Sequence, residues 1–176
     1  FLWMYTNGTL TDADKFRQLR DAGLDEIRFD IGAVRYDLEF AKNAVGIIPA
    51  VTVEIPAVPE DKETLKTRIR EMAELGVNHL NLHQLRLTSF IFDKLTQRGY
   101  TFLHGPRATV LESELTALEL LLFSLDENIP LPVNYCSFYY KNSFQYAAAR
   151  RRAAERVRKS YEDITEKGYI RSLRLK

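Results

Sequence analysis

Cysteine is almost absent from this chain, since Cys136 is the only one among 176 residues. One thiol excludes an internal disulfide and any metal site built from several cysteines. No apolar run reaches the roughly 20 residues that a membrane-spanning helix needs. The opening residues also lack the basic region and the small-residue cleavage site of a signal peptide. These absences predict a cytoplasmic protein.

Several common binding and catalytic motifs are absent as well. The sequence has no Gly-rich phosphate loop of either common type, which argues against a nucleotide held by its phosphates. It has no Gly-x-Ser-x-Gly elbow, and its three histidines lack metal-ligand spacing. A net charge of +1 provides no overall attraction to nucleic acid or membranes, so neither is expected as a partner.

Short apolar runs alternate with amphipathic helical stretches along the whole chain, and a glycine often ends the helix. Strands alternating with helices predict a parallel sheet with helical crossovers. Crossovers of one hand in sequential order would curve the sheet into a partial (β/α) barrel. We therefore expect one α/β domain over residues 1–176, with strands over 2–5, 26–31, 47–55, 79–85, 100–103, 131–135 and 170–175 and helices over 11–22, 36–45, 61–75, 89–98, 113–125 and 143–166.

Two finer expectations concern helix packing. Thr11 is the predicted cap of the first helix, with Asp14 as a weak capping-box partner. The apolar residues of the helix over 113–125 are expected to form core, namely Leu115, Leu118, Leu122 and Leu125.

The chain opens on four large apolar residues, Phe1 to Met4, that read as a strand of the interior of a parallel sheet. The first residues of a free-standing domain are usually solvated and loosely held. We therefore expect the chain to be the downstream part of a larger protein, with the N-terminal strands of the same sheet missing.

Polar residues follow four successive predicted strands, where ligands of parallel α/β sheets lie. Such a set favours a pocket for a zwitterion or a sugar, although each residue by itself could instead cap a helix or satisfy a loop carbonyl. The candidates are Thr6, Asn7, Asp30, Glu54, His83 and Arg86.

Four segments, read together, resemble a known superfamily. They are a YTNG turn at residues 5–8, GLDEIRFDIGA at 23–33, VTVEIPAVPED at 51–61 and ELGVNHLNLHQLRLT at 74–88. Their order and spacing resemble the middle of the radical S-adenosylmethionine (SAM) superfamily, and in particular proteins described as pyruvate formate-lyase activating enzyme-like. The resemblance covers a core over about 1–90, followed by a C-terminal βα extension over about 91–176.

The resemblance implies an oxidoreductase that reductively cleaves SAM to a 5′-deoxyadenosyl radical. It further implies a 4Fe–4S cluster, an electron donor such as flavodoxin or ferredoxin, and a protein or small-molecule substrate that the sequence does not identify. The superfamily's C-x3-C-x2-C cluster motif is absent from this chain. We therefore expect the chain alone to bind no iron and to be inactive, with the cluster ligands supplied upstream.

The resemblance assigns roles to matching positions but no catalytic residue. Thr6 and Asn7 match the turn that lines the cofactor pocket, and Asp30 matches an acidic residue that contacts ribose or methionine. Tyr5 and Gly32 depart from the pattern, because activating enzymes have an acidic residue and a lysine there. The implied SAM-binding residues are Thr6, Asn7, Asp30, Glu54, His83 and Arg86.

Two other function classes remain open at this point. The first is a non-catalytic α/β domain that binds a small polar ligand or a partner protein. The second is an adaptor that uses the basic residues between Arg150 and Lys159 to dock an acidic protein or RNA. We predict that Cys136 is mainly a small hydrophobic residue, and the alternative is that it contacts a substrate.

Overall fold

The computed structural model describes residues 1–173 of the chain, which divides into two compact units. Unit 1 is Phe1–Cys136, and unit 2 is Ser137–Lys176, described as far as residue 173. The expectation of a single domain over 1–176 stays a prediction.

The described strands are, in chain order, β1 (Trp3–Thr6), β2 (Glu26–Phe29), β3 (Ala50–Pro56), β4 (His79–His83), β5 (Phe102–Leu103), β6 (Thr109–Val110), β7 (Val133–Cys136), β8 (Glu162–Ile164) and β9 (Ile170–Ser172). The α-helices are α1 (Ala13–Asp21), α2 (Glu39–Lys42), α3 (Lys62–Leu75), α4 (Phe92–Thr96), α5 (Leu111–Asp126), α6 (Phe138–Tyr140) and α7 (Tyr146–Val157).

Unit 1 is built on a five-stranded sheet in the order β1-β2-β3-β4-β7. Every neighbouring pair is parallel, as predicted for a partial (β/α) barrel. Closure into a full barrel is not seen among the described strands. The expectation of further strands before Phe1 stays a prediction.

One face of this sheet is the hydrophobic core. Alternate residues of a strand point to opposite faces, and on the core side they are large and apolar. Helices α1 and α3 cover this face with Phe16, Leu65, Ile69 and Met72. The central strands contribute Ile27, Phe29, Val51, Val53, Ile55, Leu80 and Leu82, all at most 1% exposed.

The first two predicted helices differ from the expectation in their starts. Asp12, not Thr11, caps α1, because its carboxylate accepts the backbone N–H of Lys15 at 2.8 Å. Thr11 instead donates its hydroxyl to the carbonyl of Gly8 at 2.6 Å. The predicted helix over 36–45 shortens to α2, and it cannot start at 36 because Arg35 and Tyr36 have φ values of 57° and 61° that a right-handed helix excludes.

The predicted strand over 100–103 is not part of the central sheet. It shortens to β5, which pairs antiparallel with β6. After β4 the chain also bridges to this region, since Arg86 pairs antiparallel with Thr109. The last strand of the central sheet is therefore β7, which the sequence had placed at 131–135.

The expectation that the leucines of α5 form core is wrong. Leu115, Leu118, Leu122 and Leu125 are 47–64% exposed, while small or polar residues and Leu120 face inward. The buried side of α5 contains Ser113, Thr116, Ala117, Leu120 and Ser124. A small residue on this side suits close approach, and the Ser113 hydroxyl donates to the carbonyl of Ala57 at 2.7 Å.

Unit 2 contains a helix and a hairpin in place of the predicted helix over 143–166. A π-helical turn over Lys141–Gln145 precedes α7, which ends at Val157. Arg158 is extended, and β8 then pairs antiparallel with β9. The predicted strand over 170–175 shortens to β9, which ends at Ser172, and residues 174–175 of the prediction lie outside the described residues.

The turn of this hairpin packs on α7 through Gly168, which has a φ of +80°. A Cβ atom there would lie 2.7 Å from the Cβ of Arg150, so only glycine fits. Within residues 1–173, no helix is both long and apolar enough to cross a membrane.

Candidate functional site

The second face of the central sheet is polar, and we call it the polar face. It is formed by the alternate residues that the core does not use, which lie side by side across the parallel strands. Its members are Trp3, Tyr5, Glu26, Arg28, Thr52, Glu54, His79, Asn81, His83, Asn134 and Cys136.

Arg28 on β2 is the centre of this face. Its Nε and Nη2 donate to the two carboxylate oxygens of Glu26, both at 3.0 Å, in a bidentate pair. Its Nη1 donates to Glu54 Oε2 on β3 at 3.1 Å. The guanidinium also lies over the ring of Trp3, 4.4 Å from its centroid, and 3.4 Å from the hydroxyl of Tyr5. One arginine therefore joins three strands.

The hydrogen bonds continue from Glu54 to the opposite edge of the sheet. Asn81 on β4 donates its amide to Glu54 Oε2 at 3.5 Å, and Asn134 on β7 donates to Asn81 Oδ1 at 3.4 Å. With Tyr5 on β1, these contacts form a connected series over all five strands, which orients the carboxylate of Glu54.

Glu26 is the most buried charged group of the face, with 6% of the residue exposed. Burial opposes its ionisation, but hydrogen bonds from Arg28 and from the Thr52 hydroxyl, at 2.6 Å, outweigh it and lower the pKa of Glu26. For Arg28, burial also opposes the charge, yet the bonds to Glu26 and Tyr5 raise the pKa above its usual value. Two carboxylates and one guanidinium leave the face with a net negative charge.

A cavity of about 400 Å³ opens on the half of the polar face where the strands begin. Ala50 and His79 line it, and each is the first residue of its strand. Arg28 and Glu26 are also in its wall. The sequence had placed the pocket at the opposite, carboxyl ends of the strands.

Of the six predicted site residues, Glu54 and His83 lie on the polar face. Asp30 directly follows β2 and is exposed. Its Oδ1 lies close to Gly32, where an added Cβ atom would be 3.2 Å away. Arg86 is exposed and lies beyond β4, at its bridge to Thr109.

Thr6 and Asn7 shape the turn after β1. The hydroxyl of Thr6 accepts the backbone N–H of Gly8 at 3.0 Å. The side-chain oxygen of Asn7 accepts from the backbone and the hydroxyl of Thr9, at 3.2 and 2.9 Å. These bonds orient the turn. A role of any of the six residues in binding SAM stays a prediction.

Sequence reasoning missed most of the polar network, because it inspected only the strand ends. A signal was present inside the strands, where every second residue is polar: Glu26 and Arg28, then Thr52 and Glu54, then His79, Asn81 and His83. A parallel strand that is buried on both faces reads instead as a continuous apolar run. This alternation therefore indicates a ligand-facing or solvated side.

The chain is similar to a curated protein of Methanocaldococcus jannaschii named "Putative glycyl-radical enzyme activating enzyme". The two are 30% identical over 179 residues, which is 95% of this chain and 46% of that protein. The chain thus spans about half the length of this relative. No family model matches the chain, and no solved structure matches it.

Proposed function

We propose that this chain is the core of a radical SAM enzyme of the kind that activates glycyl-radical enzymes, and that its polar face binds SAM. The similarity to the archaeal relative carries this proposal, because it extends over 95% of the chain. The four segments over residues 5–88 that resemble the radical SAM superfamily support it independently of that relative's name. The substrate of the whole protein is then another protein, and a flavodoxin or a ferredoxin is the electron donor.

The residues of the polar face fit SAM in charge and in hydrogen-bonding capacity. SAM carries a cationic sulfonium and an ammonium group, which a net negative surface attracts. The carboxylate of Glu54 accepts from ammonium or ribose hydroxyl groups, and the amides of Asn81 and Asn134 add donors and acceptors beside it. When bound and reduced, SAM supplies a 5′-deoxyadenosyl radical.

The residues of this chain do not fit the 4Fe–4S cluster. Cys136 is the only cysteine, and residues 1–173 hold no group of three or more His, Cys, Asp or Glu side chains that could bind a metal ion. A cluster needs several thiolates, so in this proposal its ligands come from outside the chain, which is inactive without them.

The chain's own part in this function is to bind and orient. Arg28 and Asn81 hold Glu54 Oε2 from two sides, and the Tyr5 hydroxyl is also hydrogen-bonded to Glu54, so the carboxylate has a defined orientation toward a ligand donor. Glu26, held in turn by Thr52, keeps the guanidinium of Arg28 from rotating. A ligand on this face therefore meets an oriented acceptor that costs little to order.

Calorimetric titration of SAM into the 176-residue chain tests the proposal. Glu54→Gln removes the charge but keeps the shape, and loss of a hydrogen bond to a charged group costs about 1.5–3 kcal/mol. We expect affinity to fall by about one to two decades. S-adenosylhomocysteine, which lacks the sulfonium charge, should bind the unaltered chain more weakly than SAM.

Glu63→Gln is the matched control, because Glu63 is an exposed carboxylate on α3, away from the polar face. Its affinity for SAM should equal that of the unaltered chain. Asp30→Asn tests the residue that the superfamily resemblance implies, with the same expected loss. Unchanged SAM affinity in Glu54→Gln, or no measurable binding to the unaltered chain, contradicts the proposal.

A further inference from the structure

Unit 2 contains a strong excess of positive charge that the whole-chain value hides. Residues 137–176 contain 11 Lys or Arg against 4 Asp or Glu, a net charge of +7. Residues 1–136 contain 14 against 20, a net charge of −6. Concentration of one sign in a small unit raises the local concentration of an oppositely charged partner. A basic unit of this kind is suited to a polyanion.

Much of this charge lies in α7 from Arg151 onward and just beyond the end of the helix. Five side chains there are exposed and form no ion pair within residues 1–173, namely Arg151, Arg152, Arg156, Arg158 and Lys159. Complementing the helix dipole explains cations in the last turn only. Arg151 and Arg152 lie more than one turn before the helix end, so stability of α7 does not account for them.

Arg150 differs from its neighbours and shows what a structural arginine of this helix does. Its Nε donates to the carbonyl of Lys167 at 2.9 Å, and its guanidinium lies 4.8 Å from the ring centroid of Tyr169. It therefore fastens the hairpin to α7. The four arginines above make no such contact with a described residue, and the ring contact of Lys159 is with the neighbouring, exposed Tyr161.

An exposed aromatic ring follows directly on this basic segment. Tyr161 is 66% exposed, and Lys159 Nζ lies 5.7 Å from its ring centroid. The turn that presents the ring is ordered by two hydrogen bonds between Lys159 and Glu162, at 2.8 and 3.1 Å. An exposed ring beside cations is the combination that binds a base and its phosphate together.

We propose that the segment Arg151–Tyr161 binds single-stranded nucleic acid. The arginines and Lys159 contact phosphates, and the ring of Tyr161 stacks on a base. A single strand is the fitting form, because in a duplex the base faces are covered by their neighbours. RNA and DNA share this chemistry. The proposal replaces the expectation that nucleic acid is not a partner, and it does not rest on SAM binding.

Fluorescence anisotropy on the full 176-residue chain tests it, with labelled strands of about 12 nucleotides, a length within the range of small single-strand sites. Single-stranded RNA, single-stranded DNA and duplex RNA are compared over a salt series. The double variant Arg152→Ala/Arg156→Ala should reduce the slope of log K against log salt by about 1.4, since each lost phosphate contact accounts for about 0.7. Alanine suits this Ala-rich helix, so α7 should stay folded, as circular dichroism will show.

The aromatic contact is tested separately. Tyr161→Ala should weaken binding roughly tenfold without changing the salt slope, whereas Tyr161→Phe, which keeps the ring, should bind like the unaltered chain. Arg17→Ala/Arg20→Ala is the matched control, because it removes the same charge from the exposed side of α1 in unit 1. Its affinity and salt slope should be unchanged.

Binding of single-stranded RNA or DNA with these variant effects supports the proposal. The ratio of the affinities for RNA and for DNA shows which of the two is preferred. Tighter binding of the duplex overturns it, as does unchanged affinity in Tyr161→Ala. Equal affinity for poly-glutamate also overturns it and indicates an acidic protein as the partner. The absence of an anisotropy change at about 100 µM chain also overturns the proposal, because this concentration is the weakest dissociation constant typical of non-specific binding.

Discussion

Arg28→Met should destabilise the protein by about 3 kcal/mol, because it leaves Glu26 buried without its cation. The side chains of Glu26 and Arg28 are 8% and 24% exposed, and two hydrogen bonds of 3.0 Å join them. Removing one partner of a buried ion pair costs about 3–5 kcal/mol. The partial exposure of Arg28 and the remaining bond from Thr52 place this case at the lower end. Methionine keeps an apolar stem but removes the guanidinium that lies over Trp3, so the loss reports the charge together with this cation–π contact.

Urea denaturation at neutral pH measures this loss, which corresponds to a fall in Tm of about 6–12 °C. The double variant Glu26→Gln/Arg28→Met should recover most of the part due to Glu26, because the only carboxylate of the pair network that then lacks its cation is Glu54, whose side chain is 13% exposed. Arg17→Met is the control, since Arg17 and Asp14 form an exposed pair that contributes at most about 0.5 kcal/mol. A loss below about 1 kcal/mol, or a double variant no more stable than the single one, would refute the reasoning.

The pH dependence of stability provides a second check on the same variant. In the unaltered protein the pKa of Glu26 is lowered, so its contribution is present above the ordinary carboxyl pKa and is lost as pH falls through the lowered value. In Arg28→Met, burial without a cation raises the pKa of Glu26, and the folded state then favours the neutral acid. The deficit of the variant should therefore be largest near neutral pH and should shrink on acidification. A deficit that grows as pH falls contradicts this assignment.

Two further predictions concern packing. Leu120→Ala should lower the free energy of unfolding by about 2–5 kcal/mol in urea denaturation, because Leu120 is fully buried. Leu118→Ala, at a half-exposed site of the same helix, should lower it by under about 1 kcal/mol. Equal losses would show that α5 is rotated. Gly168→Ala should reduce hydrogen-exchange protection over 162–172, because the new Cβ would lie 2.7 Å from the Cβ of Arg150. Gly99→Ala is the control: its φ is +68° and nothing lies within 4 Å of the new Cβ, so it should cost only the backbone strain of about 1–2 kcal/mol. Unaltered protection in Gly168→Ala would contradict the packing of the hairpin on α7.

The sequence by itself determined the architecture of unit 1. Strand and helix periodicities are set by short-range sterics, so the alternation of apolar runs with amphipathic stretches predicted the parallel sheet and the five strands that form it, although it also placed residues 100–103 in that sheet. Glu54 and His83 both lie on the polar alternation of their strands, and their role in binding SAM stays a prediction.

Tertiary structure alone decided which polar side chains meet. Arg28 binds Glu26 and Glu54, and Glu54 lies 26 residues away on a neighbouring strand, so the contact depends on strand register and not on local pattern. Which face of α5 packs inward also depended on the residues that the helix contacts in the folded protein. Ser113 and Ala117 allowed close approach there, which left Leu118 outside.

The division of unit 2 into helix α7 and the β8–β9 hairpin was likewise decided by contacts between residues that are distant in sequence. Local pattern favoured one helix through residue 166, because its residues have adequate helix propensity. The hairpin instead pairs β8 with β9 and seats Gly168 against α7, and these contacts form only when the chain turns back. Propensity is a preference of less than 1 kcal/mol per residue, so packing and strand pairing overrule it wherever both can form.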